Sequence, residues 1–348
     1  MARSSGKVRA ARLTDLAALG ELSRLAQADG EGTRSLGLPV SGPPIGVFSL
    51  FRLPLGYFQP HDVLYVFDRD SHIAGLLRVE RESSRDEWTV VELDAVGGLD
   101  AGDVRFRLVQ HLLRDGGKRG AVRFHVACAD ADDNVELFMQ AGFVRYGDEC
   151  VLYRDPSQDL PAPTDDAAAA KARIRPVTPL DAVPLSRLYS SVTPKPVQRL
   201  EGVRVVDWER QGRDWRVPRS SLAPILRFAD VEGFVQEAKG GGKDGTEIDG
   251  FAQVGVAKED QPHYLKVLAR PEADVVPLLR YSLGVIAARA DADRVHRQGV
   301  LAPVRTYESP LDRRFEEEGF ASVATVTLLM KETLVRVAEP SLVPAGVR

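Results

Sequence analysis

Two carboxylates two residues apart are the first side chains in this chain with the means to do chemistry. Glu92 and Asp94 lie in Glu87-Trp-Thr-Val-Val-Glu-Leu-Asp-Ala-Val96, a run rich in β-branched and aromatic residues that reads as a strand. Side chains two apart on a strand share one face. A carboxylate on such a face, partly withdrawn from water, has a raised pKa and can act as a general base. The plainer alternative is a solvated pair, or one bound to nearby arginines. Directly after Val96 come Gly97-Gly98-Leu-Asp-Ala-Gly102-Asp103, then Val104-Arg105-Phe-Arg107-Leu108-Val109-Gln-His-Leu112-Leu113 in the pattern of an amphipathic helix. Strand, turn-rich loop and helix start in this order can hold a phosphate-bearing cofactor, because free N–H groups and the positive end of the helix dipole face the anion.

The other reactive residue types read as structural. Cys128 and Cys150, the only cysteines, lie in or beside strands as inert thiols. His125 alternates with Phe124 and Val126 on a strand, and His111 falls on the exposed side of the helix after the loop. Trp208 and Trp215 are seven apart, which places them on one face of a helix as packing residues. The run Gly240–Gly242 lies in a hairpin and leads into no helix, so it is a turn. The segment Arg34–Pro60 is punctuated by Gly and Pro, yet carries apolar residues from Ile45 to Phe58. That combination predicts a packed segment, serving as local core, an apolar acceptor pocket or a subunit contact.

A net charge of −4 from 46 basic and 50 acidic side chains gives no global attraction to nucleic acid or anionic membranes. Two cysteines and six histidines show no metal-ligand spacing, so no metal is expected. The polar start Met-Ala-Arg-Ser-Ser-Gly-Lys lacks the apolar core of a signal peptide, and no apolar run reaches the length of a membrane span. A cytoplasmic protein is expected, with its oligomeric state open.

The elements that position these residues occur twice. Val8, Arg9, Asp15, Leu19 and Leu22 align without gaps on Ile174, Arg175, Asp181, Leu185 and Leu188. Near the end of each half, Phe138-Met-Gln-Ala-Gly142-Phe143 and Phe315-Glu-Glu-Glu-Gly319-Phe320 each predict a helix closing on a left-handed Gly, followed by a strand, Glu149–Arg154 or Val326–Lys331. Matching start and end signals argue for an internal duplication. The boundary falls in the Pro- and Ala-rich stretch 156–171, giving halves at 1–155 and 172–334 and a tail at 335–348.

In each half the order is helix, hairpin, strand, loop and helix, strand, helix ending in Gly-Phe, strand. This resembles the GCN5-related N-acetyltransferase (GNAT) domain, once per half over nearly the whole chain. The resemblance implies an α/β fold with a mixed sheet, two tandem acyl-CoA N-acyltransferase units, and acetyl transfer from acetyl-CoA to an amine. It places pantetheine beside the fourth strand, Glu92 (with Asp94 beside it) as the base, and backbone N–H groups near Val96 on the acetyl carbonyl. Gly102, Asp103, Val104, Arg105 and Arg107 would face the diphosphate. Registered on the family's pattern, Ala101, Asp103 and Arg105 replace its three glycines. Asp103 is repulsive to a diphosphate, and Arg105 and Arg107 partly offset it. The second half has Arg270-Pro271-Glu272-Ala273-Asp274 before its helix, with no glycine. Where many members carry a Tyr that protonates the leaving thiolate, this chain has Phe138 and Phe315. Two functions follow: an acetyltransferase working in its N-terminal half on a small-molecule amine, or a catalytically degenerate tandem protein serving as a binding or scaffold module.

Overall fold

Arg9 and Arg175, the basic residues of the two opening segments, each grip an aspartate six residues on with both ends of the guanidinium. Arg9 Nη1 and Nη2 donate to Asp15 at 2.6 and 2.9 Å, and Arg175 Nη1 and Nη2 donate to Asp181 at 2.8 and 2.8 Å. The remaining Nε donates to an acid on a neighbouring strand, Asp68 in one half and Glu237 in the other. Each aspartate also accepts a backbone N–H from three residues earlier, Arg12 or Thr178. The Arg9 hydrogen bond holds the Asp15 carboxyl below its ordinary range. The closing segments repeat as closely. Gly142 and Gly319 adopt φ of +88° and +87°, a conformation that glycine takes without strain. Phe143 then packs edge-on against Phe138 at 5.2 Å, and Phe320 against Phe315 at 4.9 Å.

The structure, a computed structural model, describes residues 6–15, 17–19, 22, 36, 62–70, 72–82, 86–96, 100–129, 133–162, 165–210, 212, 215–240, 247–257, 261–292, 298–308 and 310–333. In chain order the elements are β1 (Lys7–Ala10), β2 (Asp62–Arg69), β3 (His72–Glu82), β4 (Glu87–Ala95), α1 (Ala101–Lys118), β5 (Arg123–Ala129), α2 (Asn134–Gln140) and β6 (Val144–Arg154). There follow α3 (Asp166–Lys171), β7 (Ile174–Pro176), α4 (Ala182–Val192), α5 (Lys195–Glu201), α6 (Val205–Trp208), β8 (Phe228–Glu237), β9 (Ile248–Ala257), β10 (His263–Ala269), α7 (Val276–Ala292), β11 (Val300–Arg305), α8 (Pro310–Glu317) and β12 (Ala321–Glu332). Most of Arg34–Pro60, the loop glycines Gly97 and Gly98, Gly241 and Gly242, and the tail 335–348 lie outside the described residues. No helix among the described residues is long and apolar enough to cross a membrane.

Among the described residues, twelve strands join one mixed sheet in the order β1-β2-β3-β4-β5-β12-β6-β11-β10-β9-β8-β7. Its two parallel pairs are β4–β5 and β10–β11. The halves have exchanged their last strands. β6, from the N-terminal half, pairs with β11, and β12, from the C-terminal half, pairs with β5. The two exchanged strands pair with each other at the centre. The stretch 156–171 therefore divides the sequence while the sheet runs across it. That stretch also forms α3, capped by Asp165 accepting from Ala168 N at 2.7 Å.

A buried charge cluster marks the exchange. Glu149 on β6 faces Arg305 on β11 in the ladder. Arg305 Nε lies 3.1 Å from Glu149 Oε2, and its Nη2 donates to Glu201 at 2.9 Å and to the Arg219 carbonyl at 2.9 Å. Burial works against the guanidinium charge, but Glu149 and Glu201 outweigh it and raise the pKa.

One face of the N-terminal half buries α1 against Trp88, Val90, Leu93, Phe124 and Val126. On the other face, near the centre, Ala127, Val151, Val326 and Leu328 meet Trp208, Trp215, Leu222 and Leu226 from the C-terminal half. The two tryptophans do not share a helix. α6 stops at Trp208, the chain turns through Gly212 at φ +87°, and both indoles then pack on Phe251, at 5.7 and 5.4 Å. His111 is not freely exposed either; its ring packs edge-on against Tyr65 at 5.0 Å.

Because each half completes the other's sheet, calorimetry should show one cooperative unfolding transition, and two separate transitions would contradict the exchange. Glu149→Leu should cost about 3–5 kcal/mol, the penalty for breaking a buried ion pair from one side. His263 should also govern acid stability. It is fully buried and its Nδ1 accepts the Ala257 N–H, so burial pushes its pKa down to about 4. Between pH 6.5 and about 4 the unfolded chain binds a proton there that the folded chain refuses. Stability should therefore fall by about 3 kcal/mol as pH drops through that window, and His263→Asn should flatten the loss in melts at pH 4 to 7.

Candidate active site at the open end of the β4–β5 pair

β4 and β5 pair for only four rungs, from Glu87–Arg123 to Val90–Val126, although β4 runs on to Ala95 and β5 to Ala129. At the point where the pair opens, the β3–β4 register also slips. Val79 faces Val90 while Arg78 faces Glu92, so Val91 has no partner residue in either ladder. This is a β-bulge, in which the extra residue is left without a partner and the strand bends where the pair opens.

A cleft lies at this point. Thr89, Val90 and Val91 line it from β4, and His125, Val126 and Ala127 from β5. Tyr146 and Leu328 close it from the exchanged strands, and Arg305 from β11. Its outer wall is Arg219, Ser220, Ser221, Pro224 and Ile225, an irregular strap from the C-terminal half. Ion pairs tie this strap to the N-terminal sheet. Arg216 meets Glu80 at 3.0 Å, Arg219 meets Glu82 at 3.0 Å and also Glu87, and Arg227 meets Asp62 at 3.7 Å. Burial raises the Asp62 pKa, with Arg78 and Arg227 opposing it.

The residues singled out in the sequence occupy different surroundings. Glu92 and Asp94 do share the face away from α1, as Leu93 between them packs into the α1 core. Glu92 lies just past the bulge, 3.7 Å from Arg78, and does not line the cleft. Asp94 is buried opposite Leu76. The Val96 amide donates to the Ala74 carbonyl at 3.0 Å, because pairing with β3 continues that far. Its donor is spent, and the residue without a ladder partner is Val91.

At the start of α1, Gly102 faces open space, with nothing within 4 Å of where a Cβ would stand. Asp103 is bound by Arg107 at 2.8 Å, which offsets its charge. Arg105 does not share that role. It is buried and donates from Nη1 to Asn134 Oδ1 at 2.8 Å, beside α2. Val104 is wholly buried beneath Gly75, where any Cβ would come within 2.5 Å of it. Arg69, the last residue of β2, brings Nη1 within 3.8 Å of Asp100 at the helix start.

The corresponding gap in the C-terminal half is filled. β10 and β11 pair for two rungs, ending at Tyr264–Leu301, and β9–β10 shows no register slip. Two residues past the last rung, where the N-terminal half has Glu92, stands Lys266. It is fully buried, and its Nζ reaches across to the Pro303 carbonyl at 3.1 Å and Glu308 Oε2 at 2.8 Å. Glu308 is held in turn by the Arg305 amide at 2.9 Å. Phe138 and Phe315 are both buried in their aromatic pairs and offer no proton. The phenol that does line the N-terminal cleft is Tyr146, whose pKa burial pushes up.

No protein-family model matches the chain, and no curated protein matches it by sequence. Solved structures do match its fold. A tandem GNAT protein from the clavulanic acid biosynthesis pathway is 12% identical, with a TM-score of 0.53 over 94% of this chain and 98% of that one. A GCN5-related N-acetyltransferase from Sphaerobacter thermophilus is 15% identical, with a TM-score of 0.54 over 94% and 95%. The GCN5-related glucosamine N-acetyltransferase region of a fungal multi-domain β-N-acetylglucosaminidase is 12% identical, with a TM-score of 0.55 over 95% of this chain and 38% of that one. Each likeness covers 94–95% of this chain and therefore both halves: the chain has the tandem GNAT fold.

Proposed function

We propose that the N-terminal half transfers an acetyl group from acetyl-CoA to a small-molecule amine, and that the C-terminal half shapes the acceptor side without a transfer site of its own. The observation that carries this is the difference between the two gaps. One opens beside Val91, which has no partner residue in either ladder; the other is occupied by Lys266 and Glu308. Acetyl-CoA, when bound, supplies an acyl group already activated as a thioester. The residues fit it in one half only. There the open space at Gly102 and the first-turn N–H groups of α1 receive the diphosphate, and Arg107 offsets Asp103. The Val91 peptide is the donor for the acetyl carbonyl, a role in which an oriented N–H stabilises developing negative charge. The strap supplies the outer wall, so the C-terminal half selects the acceptor. A binding module without chemistry is the second reading, favoured by Phe138 and Phe315.

Thermal melts separate the readings. Acetyl-CoA at ~100 times its dissociation constant should stabilise the protein by about 2.7 kcal/mol. A shift accompanied by thiol release with one of a panel of amines supports transfer, a shift without release supports the binding module, and no shift removes both. Gly102→Ala should itself gain about 0.5–1 kcal/mol from helix propensity, having no neighbour to strike. It should nevertheless lose most of the acetyl-CoA shift. A full shift in that variant would place the diphosphate elsewhere.

A further inference from the structure

We propose that His125, oriented by Glu87, is the general base that deprotonates the acceptor amine in the N-terminal cleft. The inference rests on the acetyl-transfer reading above and names a group which that reading leaves open. Three observations support it. First, His125 lines the cleft on the last rung but one, opposite Thr89, which lies two residues before Val91 on β4. Second, the other titratable side chains lining the cleft are Tyr146, Arg219 and Arg305. Burial raises the phenol pKa, and the guanidiniums stay protonated, so none of these accepts a proton near neutral pH. Imidazole is the side chain whose charge change ordinarily falls between ~5 and 8. Third, His125 Nε2 lies 3.4 Å from Glu87 Oε2, a buried carboxylate whose negative charge favours the imidazolium. Glu87 is itself anchored by Arg123 from β5, 3.3 Å away, and by Arg219 of the strap.

Charged groups near the pair come from several elements. Arg123 also meets Glu332 of β12, Arg219 also meets Glu82 of β3, and Arg305 of β11 carries Glu149 and Glu201. In the step itself an N–H bond of the ammonium breaks and an N–H bond to the imidazole forms. The freed amine lone pair is then available for attack, and the imidazolium returns its proton to solvent. Glu92, the carboxylate first in view, is bound to Arg78 and lies outside the cleft lining.

The test uses the full chain and two independent readouts. In NMR titration of the resting protein, the histidine signal lost in His125→Gln should titrate as the pH is raised. Its midpoint should fall in Glu87→Gln, since removing a carboxylate disfavours the imidazolium. A signal that does not titrate, or that ignores Glu87→Gln, overturns the pair whatever the activity. In kinetics, His125→Gln should lower kcat/KM by about 100-fold or more and abolish its acidic limb, while acetyl-CoA still raises the melting temperature. In Glu87→Gln the limb should move to lower pH. An active wild type whose acidic limb survives His125→Gln, or moves with Glu92→Gln instead, overturns the assignment alone. A wild type that binds acetyl-CoA yet releases no thiol overturns the transfer reading as well.

Discussion

The buried contact between Arg305 and its two carboxylates is the interaction on which the rest of this molecule depends. Glu149 belongs to the last strand of the N-terminal half, and Arg305 to the fifth strand of the C-terminal half. A carboxylate with no exposed surface needs a partner, because an uncompensated buried charge costs several kcal/mol. Glu149 meets Arg305 only if β6 lies beside β11, which leaves the place beside β5 to β12. The same guanidinium holds Glu201 and the Arg219 carbonyl, so it also fixes where the strap begins. One side chain thus links the strand order, the inter-half contact and the wall of the cleft.

The strap gives the cleft its chemistry. Arg216, Arg219 and Arg227 reach carboxylates on β2, β3 and β4, so the outer wall belongs to one half and the floor to the other. Neither half alone encloses the space beside Val91. The duplicated halves have diverged at equivalent positions. A bulge and an open gap persist on one side, while a lysine–glutamate pair crosses the gap on the other. A buried ammonium bound to a carboxylate and a carbonyl is well satisfied, and an incoming ligand would have to displace both bonds. This makes the second gap a poor binding place whatever the first one does.

Much of this architecture is legible in the sequence by itself. The matching Arg and Asp positions of the two opening segments, the left-handed glycines before Phe143 and Phe320, the alternating strands and the shared face of Glu92 and Asp94 all rest on the spacing of residues close in the chain. Capping, periodicity and glycine's freedom at positive φ are local, so residue spacing reports them directly. Arg107 could be paired with Asp103 for the same reason, being one helical turn away.

The tertiary structure decided what depends on distant partners. The strands ending at Arg154 and Glu332 have similar patterns, and nothing local says which takes the place beside β5; the buried charge at Glu149 settles it. Arg105 turned inward because Asn134, from another helix, was there to receive it. The donor at Val96 was consumed by β3, and Val91 was left without a ladder partner through a slip in register. His125 alternates like any strand residue, and it became a cleft residue only when a strap nearly a hundred residues later in the chain was tied down beside it. Sequence spacing encodes faces and turns. Which face meets which, and which gap stays open, is fixed by where buried charges find their partners.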